Sequence, residues 1–110
     1  MVERGEVVWS PQPGTATRLD HFADAVAERT GHRLDTYEQL WRWSIDDLDG
    51  FWSSLADWAG VRWRDRPTTM LADRTMPGAL WCPGGTLNWA EHAVARASDA
   101  PDDLAVLERS

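Results

Sequence analysis

The sequence predicts a mainly α chain: three or four helices, extended arms, and a C-terminal strand. Three observations predict it. Apolar residues recur at three- and four-residue steps behind recognisable capping signals in three separate stretches. Proline- and glycine-rich segments at 10–14 and 76–85 interrupt those stretches where no helix can continue. A short unbroken apolar run, Leu104-Ala105-Val106-Leu107, lies near the C-terminus and reads as a buried strand.

Residues 1–17 read as an irregular arm laid against a surface. Val7-Val8-Trp9 is apolar, and Ser10-Pro11-Gln12-Pro13-Gly14 stops it from growing into a helix. A helix is expected from Arg18 to Thr30, with Leu19, Phe22, Ala23, Val26 and Ala27 on one face. Thr17 can cap its start, and Gly31 can end it in a left-handed conformation. Between Asp35 and Gly60, Tyr37, Leu40, Trp41, Ile45, Leu48, Phe51, Trp52, Leu55 and Trp58 form one wide stripe. Thr36 with Gln39 makes a capping box, and Gly60 is a stop signal. Two helices, about 37–43 and 48–59, are expected around a break at Ser44–Asp47; one bent helix is the alternative.

Val61-Arg62-Trp63-Arg64 alternates and predicts a short extended segment before Pro67. The stretch from Met76 to His92 then reads as a rigid loop feeding a helix. Pro77-Gly78 and Pro83-Gly84-Gly85 are turn punctuation, and Leu80 and Trp81 lie between them. Asn88 has the features of an N-cap, with Glu91 placed to reach back to it, and the helix should run to about Ala97. Pro101 marks a linker before the terminal strand. A lone strand has no pairing partner, so a truncated protein is expected.

Composition narrows the function. Net charge is −7, and all eleven basic residues are arginine. An acidic chain without a cationic stripe disfavours nucleic acid. No apolar run approaches the ~20 residues that span a bilayer, and no signal core opens the chain. The single cysteine, Cys82, excludes an internal disulfide framework and fits the cytosol. The outlier is eight tryptophans. At roughly 200 Å² each they amount to about 1,600 Å² of apolar surface, several times the ~300–600 Å² patch usual on a monomer. They must line a core, a partner contact, or both.

Catalytic constellations are thin. Pro83-Gly84-Gly85-Thr86 lacks the glycine frame and terminal Lys-Ser/Thr of a P-loop and reads as a turn. His21, His32, His92 and Cys82 match no zinc spacing. Ser53, His92 and Asp57 make a hydrolase triad only by assertion, without a nucleophile elbow. Glu91 is read as a cap and His92 as a packed or hydrogen-bonded imidazole. Asp46, Asp47 and Asp49 suit a helix N-terminus. The tryptophan stripe could be a stacking platform, but helical spacing favours core or domain contact. No catalytic, cofactor-binding or metal-ligating residue is assigned.

Taken together, Trp9-Ser-Pro, Tyr37-Glu-Gln-Leu-Trp-Arg-Trp-Ser-Ile-Asp-Asp, Phe51-Trp, Met76-Pro-Gly-Ala-Leu-Trp and Leu87-Asn-Trp-Ala-Glu-His carry a resemblance. Over about residues 7–107 the chain resembles the N-terminal region of acetoacetyl-CoA synthetases, relatives of acetyl-CoA synthetase among the adenylate-forming ligases. Where those proteins often have proline at the start of the second helix, this sequence has Leu48. The resemblance implies an N-terminal cap of a larger α/β ligase, divided as arm 1–17, helical domain 18–98, and 99–110 as linker and first strand of an adenylation domain. ATP, magnesium and CoA are implied for the parent enzyme, with none held by this chain. The phosphate loop and its lysines are absent, so the chain alone is expected to be inactive. Its expected partner is the adenylation domain of the same protein, with oligomeric state left open. The alternative is an autonomous Trp-rich helical module that docks a protein partner.

Overall fold

A computed structural model describes residues 3–102 and 104. Among them are four helices and four short strands: α1 Arg18–Thr30, α2 Tyr37–Asp46, α3 Leu48–Trp58, β1 Trp63–Asp65, β2 Leu71–Asp73, β3 Leu80–Trp81, β4 Thr86–Leu87 and α4 Trp89–Asp99. The chain divides into two compact units, Met1–Ile45 and Asp46–Ser110.

In the first unit, α1 is bounded as its sequence dictates. Thr17 accepts from the Asp20 N–H at 3.3 Å, while the Asp20 carboxylate accepts from the Thr17 N–H at 2.6 Å, closing a reciprocal box. That N–H, followed by the Thr17 hydroxyl, holds the Asp20 carboxyl below its ordinary range. Gly31 ends the helix at φ 73°, where a Cβ would be strained. The face read from the three- and four-residue steps supplies Phe22 and Val26 to the core, joined by Leu34 and by Leu40 of α2. Gln39 donates its N–H to Thr36 Oγ1 (3.2 Å), and its side-chain oxygen accepts from Thr36 N–H (3.1 Å), so the second box is also made. The arm is exposed throughout Val7-Val8-Trp9, and Trp9 with Pro11 and Pro13 borders a groove floored by Ala23, Leu34 and Leu40.

The break in the apolar stripe is sharper than expected. Ser44, Ile45 and Asp46 remain helical, and the Ser44 hydroxyl donates back to the Trp41 carbonyl (2.7 Å) instead of capping a new helix. Asp47 alone is non-helical, at φ −120° and ψ 73°, and accepts from Gly50 N–H. Two helices therefore form, and not one bent one.

In the second unit, α3 ends in a Schellman motif: Val61 N–H donates to the Ala56 carbonyl (2.9 Å) and Gly60 N–H to that of Asp57 (3.1 Å). Gly60 takes the required left-handed φ of 71°. Two antiparallel ribbons follow. β1 pairs with β4 (Trp63 opposite Leu87, Asp65 opposite Thr86), and β2 with β3 (Leu71 opposite Trp81, Asp73 opposite Leu80), each with a bulge. The stretch expected to be one long loop thus contains β3 and β4. Two-residue strands lie below the length at which alternation can signal them.

Asn88 caps α4, accepting from Ala90 N–H (3.0 Å) and Glu91 N–H (3.4 Å). Glu91 does not return to Asn88: its carboxylate stands 3.9 Å from Arg64 Nε on β1. The expected terminal strand falls mostly at 105–107, outside the described residues. Leu104 is exposed and non-strand, so the buried strand is not found at that position.

Candidate functional site

All eight tryptophans lie among the described residues, and none is buried. Trp43, Trp58 and Trp63 are half-buried, while Trp41, Trp52 and Trp81 are more open and Trp9 and Trp89 reach 74% and 79% exposure. The two units keep these side chains open in different ways.

In the first unit the ring of His32 stacks on Trp43, centroids 5.6 Å apart and nearly parallel. Tyr37 and Trp41 stand outward from α2 while Leu40 turns in. A ten-residue helix buries one narrow line and leaves the rest of its wide stripe uncovered.

The second unit holds the more developed surface. Trp52, Leu55, Ala56 and Ala59 from α3, Val61 and Trp63 beyond it, and Met70, Trp81, Cys82 and Leu87 from the ribbons line an entirely apolar groove of about 480 Å³. Trp52 is its aromatic hub, edge-on to Trp81 at 5.8 Å and to Phe51 at 5.4 Å. Met70 closes the floor and is buried. Among the described residues the buried Trp63 indole N–H meets no acceptor, an arrangement that ordinarily costs about 1–3 kcal/mol.

Polar ties behind the groove hold its wall in place. Asp49, in the first turn of α3, accepts with one oxygen from Thr69 Oγ1 (2.6 Å), Leu71 N–H (3.1 Å) and Met70 N–H. The Thr69 hydroxyl does most to hold this carboxyl below its ordinary range; burial opposes it, and the two N–H groups add to it. Arg66 bridges Asp57 and Ser53 on α3. His92 on α4 accepts at Nε2 from Arg62 N–H (2.8 Å), with Nδ1 3.1 Å from the Asn88 carbonyl.

The residues weighed above as catalytic constellations are placed as follows by these ties. Gly85 N–H is spent on the Cys82 carbonyl (2.9 Å), and the Thr86 hydroxyl donates to Asp65 (2.6 Å), so 83–86 is a closed turn with no open phosphate cradle. Ser53 and Asp57 converge on Arg66, whereas His92 engages Arg62 and Asn88, so the three do not form a relay. Cys82 faces Met70, Sγ to Sδ 3.7 Å, and takes a left-handed φ of 46°. Among the described residues no three His, Cys, Asp or Glu side chains gather as metal ligands. The acidic trio has three separate fates: Asp46 ends α2, Asp47 caps α3, and Asp49 forms the triple tie. The roles of Asp49 and Arg66 were not foreseen, because their partners lie 9–22 residues away. Among the described residues, no helix is long and apolar enough to cross a membrane.

The arrangement is an apolar groove edged by exposed indoles. Residues 37–93 match the family described as the acetyl-coenzyme A synthetase N-terminus. The chain is similar to the acetoacetyl-CoA synthetase of Macaca fascicularis, 31% identical over 91 residues, which is 79% of this chain and 13% of that protein. It is similar also to that of Xenopus tropicalis, 29% over 94 residues (83% and 14%). The malonamoyl-CoA synthetase of Penicillium aethiopicum is 30% identical over 90 residues (79% and 12%). The chain thus spans about an eighth to a seventh of the length of these relatives. No solved structure matches it.

Proposed function

We infer, because the chain belongs to the acetyl-coenzyme A synthetase N-terminus family, that it serves as the N-terminal cap of an acid–thiol ligase of the acetoacetyl-CoA synthetase kind. The ligase converts acetoacetate or another short acid into an acyl-adenylate with ATP and magnesium, then passes the acyl group to CoA. In this reading the chemistry belongs to an adenylation domain of α/β type. The cap contributes apolar contact surface and no reacting group.

One observation carries the proposal. Indoles from the motifs that give the resemblance, among them Trp41, Trp52, Trp81 and Trp89, stand uncovered in the structure. Exposed indole is unfavourable in water, and covering it returns about 25 cal/mol per Å².

The test is reconstitution. An acetoacetyl-CoA synthetase stripped of the region matched here is mixed with this chain, and tryptophan emission and thioester formation are followed. A blue shift on mixing, with restored or raised thioester formation, is expected. Unchanged emission would overturn the cap assignment and favour a docking module for another protein. ATP–pyrophosphate exchange by the chain alone would overturn the claim that it contributes no reacting group.

A further inference from the structure

We propose that His92 is a pH-sensitive latch that holds the start of α4 on the β1–β4 ribbon when its imidazole is neutral and releases it when the imidazole is protonated. The geometry specifies one tautomer. Nε2 lies 2.8 Å from Arg62 N–H, and a backbone amide can only donate, so Nε2 carries a lone pair. Nδ1 lies 3.1 Å from the Asn88 carbonyl, which can only accept, so Nδ1 carries the proton. Both ring nitrogens are therefore committed, and in opposite senses. A second proton can arrive only at Nε2, where it confronts the Arg62 N–H donor to donor.

The latch sits where releasing it has a consequence. β4 runs through Asn88 directly into α4, and Arg62 precedes β1, the partner of β4. The link joins residues 30 apart in sequence. Among the described residues a second tie from the helix start to β1 is the Glu91–Arg64 pair at 3.9 Å, between two exposed side chains, and such pairs contribute little. Within that turn the His92 N–H to Asn88 carbonyl bond is long, at 3.4 Å, and the Asn88 side chain caps Ala90 and Glu91 without reaching β1. The charged groups around the ring carry both signs. Arg62 and Arg64 stand on the strand side and Glu91 on the helix, where Glu91 lies 3.9 Å from Arg64. Asp65 is occupied by Thr86, and Asp57 by Arg66. Histidine is the side chain whose change of charge ordinarily serves as a pH switch.

The experiment is NMR on the full 110-residue chain. Imidazole nitrogen shifts at neutral pH should show His92 as the Nδ1–H tautomer. Across the titration of His92, the hydrogen-exchange protection of the Arg62 amide should fall about three- to tenfold, the net worth of one hydrogen bond. Amides in the first turn of α4 should lose protection with the same midpoint. In His92→Gln this midpoint should vanish while those of His21 and His32 persist. An Nε2–H tautomer, or Arg62 protection that ignores the His92 titration, overturns the proposal. Should His92→Gln fold poorly, the wild-type tautomer and the wild-type Arg62 titration still decide it.

Discussion

Replacing Asp49 is the most informative perturbation of the second unit. Its Oδ1 receives three donors, from Thr69, Met70 and Leu71, and so ties the first turn of α3 to the backbone entering β2. A hydrogen bond to a charged group contributes about 1.5–3 kcal/mol net. The three cannot be summed, since they share one oxygen with room for about two well-directed donors. The carboxylate is also exposed, so water can replace part of what is lost. Asp49→Ala should therefore cost about 2–4 kcal/mol, and Asp49→Asn, which keeps a carbonyl acceptor without charge, about half of that. Domains of this size have only about 0.05–0.15 kcal/mol per residue to lose, so the alanine variant should be visibly destabilised. Urea unfolding followed by tryptophan emission measures both. The pH dependence supplies a second check. The folded-state carboxyl is held below its unfolded value of about 3.9, so its stabilisation is full above that value and is lost as pH falls through the folded one. The gap between wild type and Asp49→Ala should be constant from about pH 5 to 8 and shrink below about pH 4. A cost under about 0.5 kcal/mol, or a gap that does not narrow in acid, would refute the assignment of Asp49 as the main tie.

Four further outcomes follow from local geometry. A methyl at Gly85 would stand 3.0 Å from the Cys82 carbonyl, 3.1 Å from Pro67 and 3.2 Å from Trp63. Gly85→Ala should therefore cost about 1–3 kcal/mol and alter the near-UV circular dichroism of Trp63. Gly60→Ala meets no atom but must hold φ 71°, which should cost about 1–2 kcal/mol in urea unfolding and leave that spectrum unchanged. The isolated chain should show red-shifted, readily quenched tryptophan emission. Trp9→Phe should reduce the quenchable fraction without moving the unfolding midpoint, because Trp9 is 74% exposed.

Local chemistry explains why so much of the helical skeleton was legible. Thr17, Gly31, Thr36 with Gln39, Gly60 and Asn88 act through backbone groups within four residues of themselves, and each performs the expected task. The limits of α1 follow for the same reason. Reading failed where the deciding partner was distant or the element too short to show a period. Ser44 carries the signature of a cap but satisfies itself on Trp41, and Glu91 has the spacing of a capping box but stands nearer Arg64 on β1. β3 and β4 have two residues each, and only pairing across the ribbon defines them.

The sequence by itself determined the existence and order of the helices, the limits of α1, the surplus of indole and the family resemblance. All of these rest on short-range backbone chemistry, composition or motif. Only the tertiary structure decided that Asp49 binds 69–71, that His92 accepts from Arg62, and that a wholly apolar groove gathers around Trp52. The two polar contacts join residues 20 to 30 apart, and the groove brings Trp52 to Trp81 and Leu87; their meeting depends on how helix and ribbon pack and leaves no period in the chain.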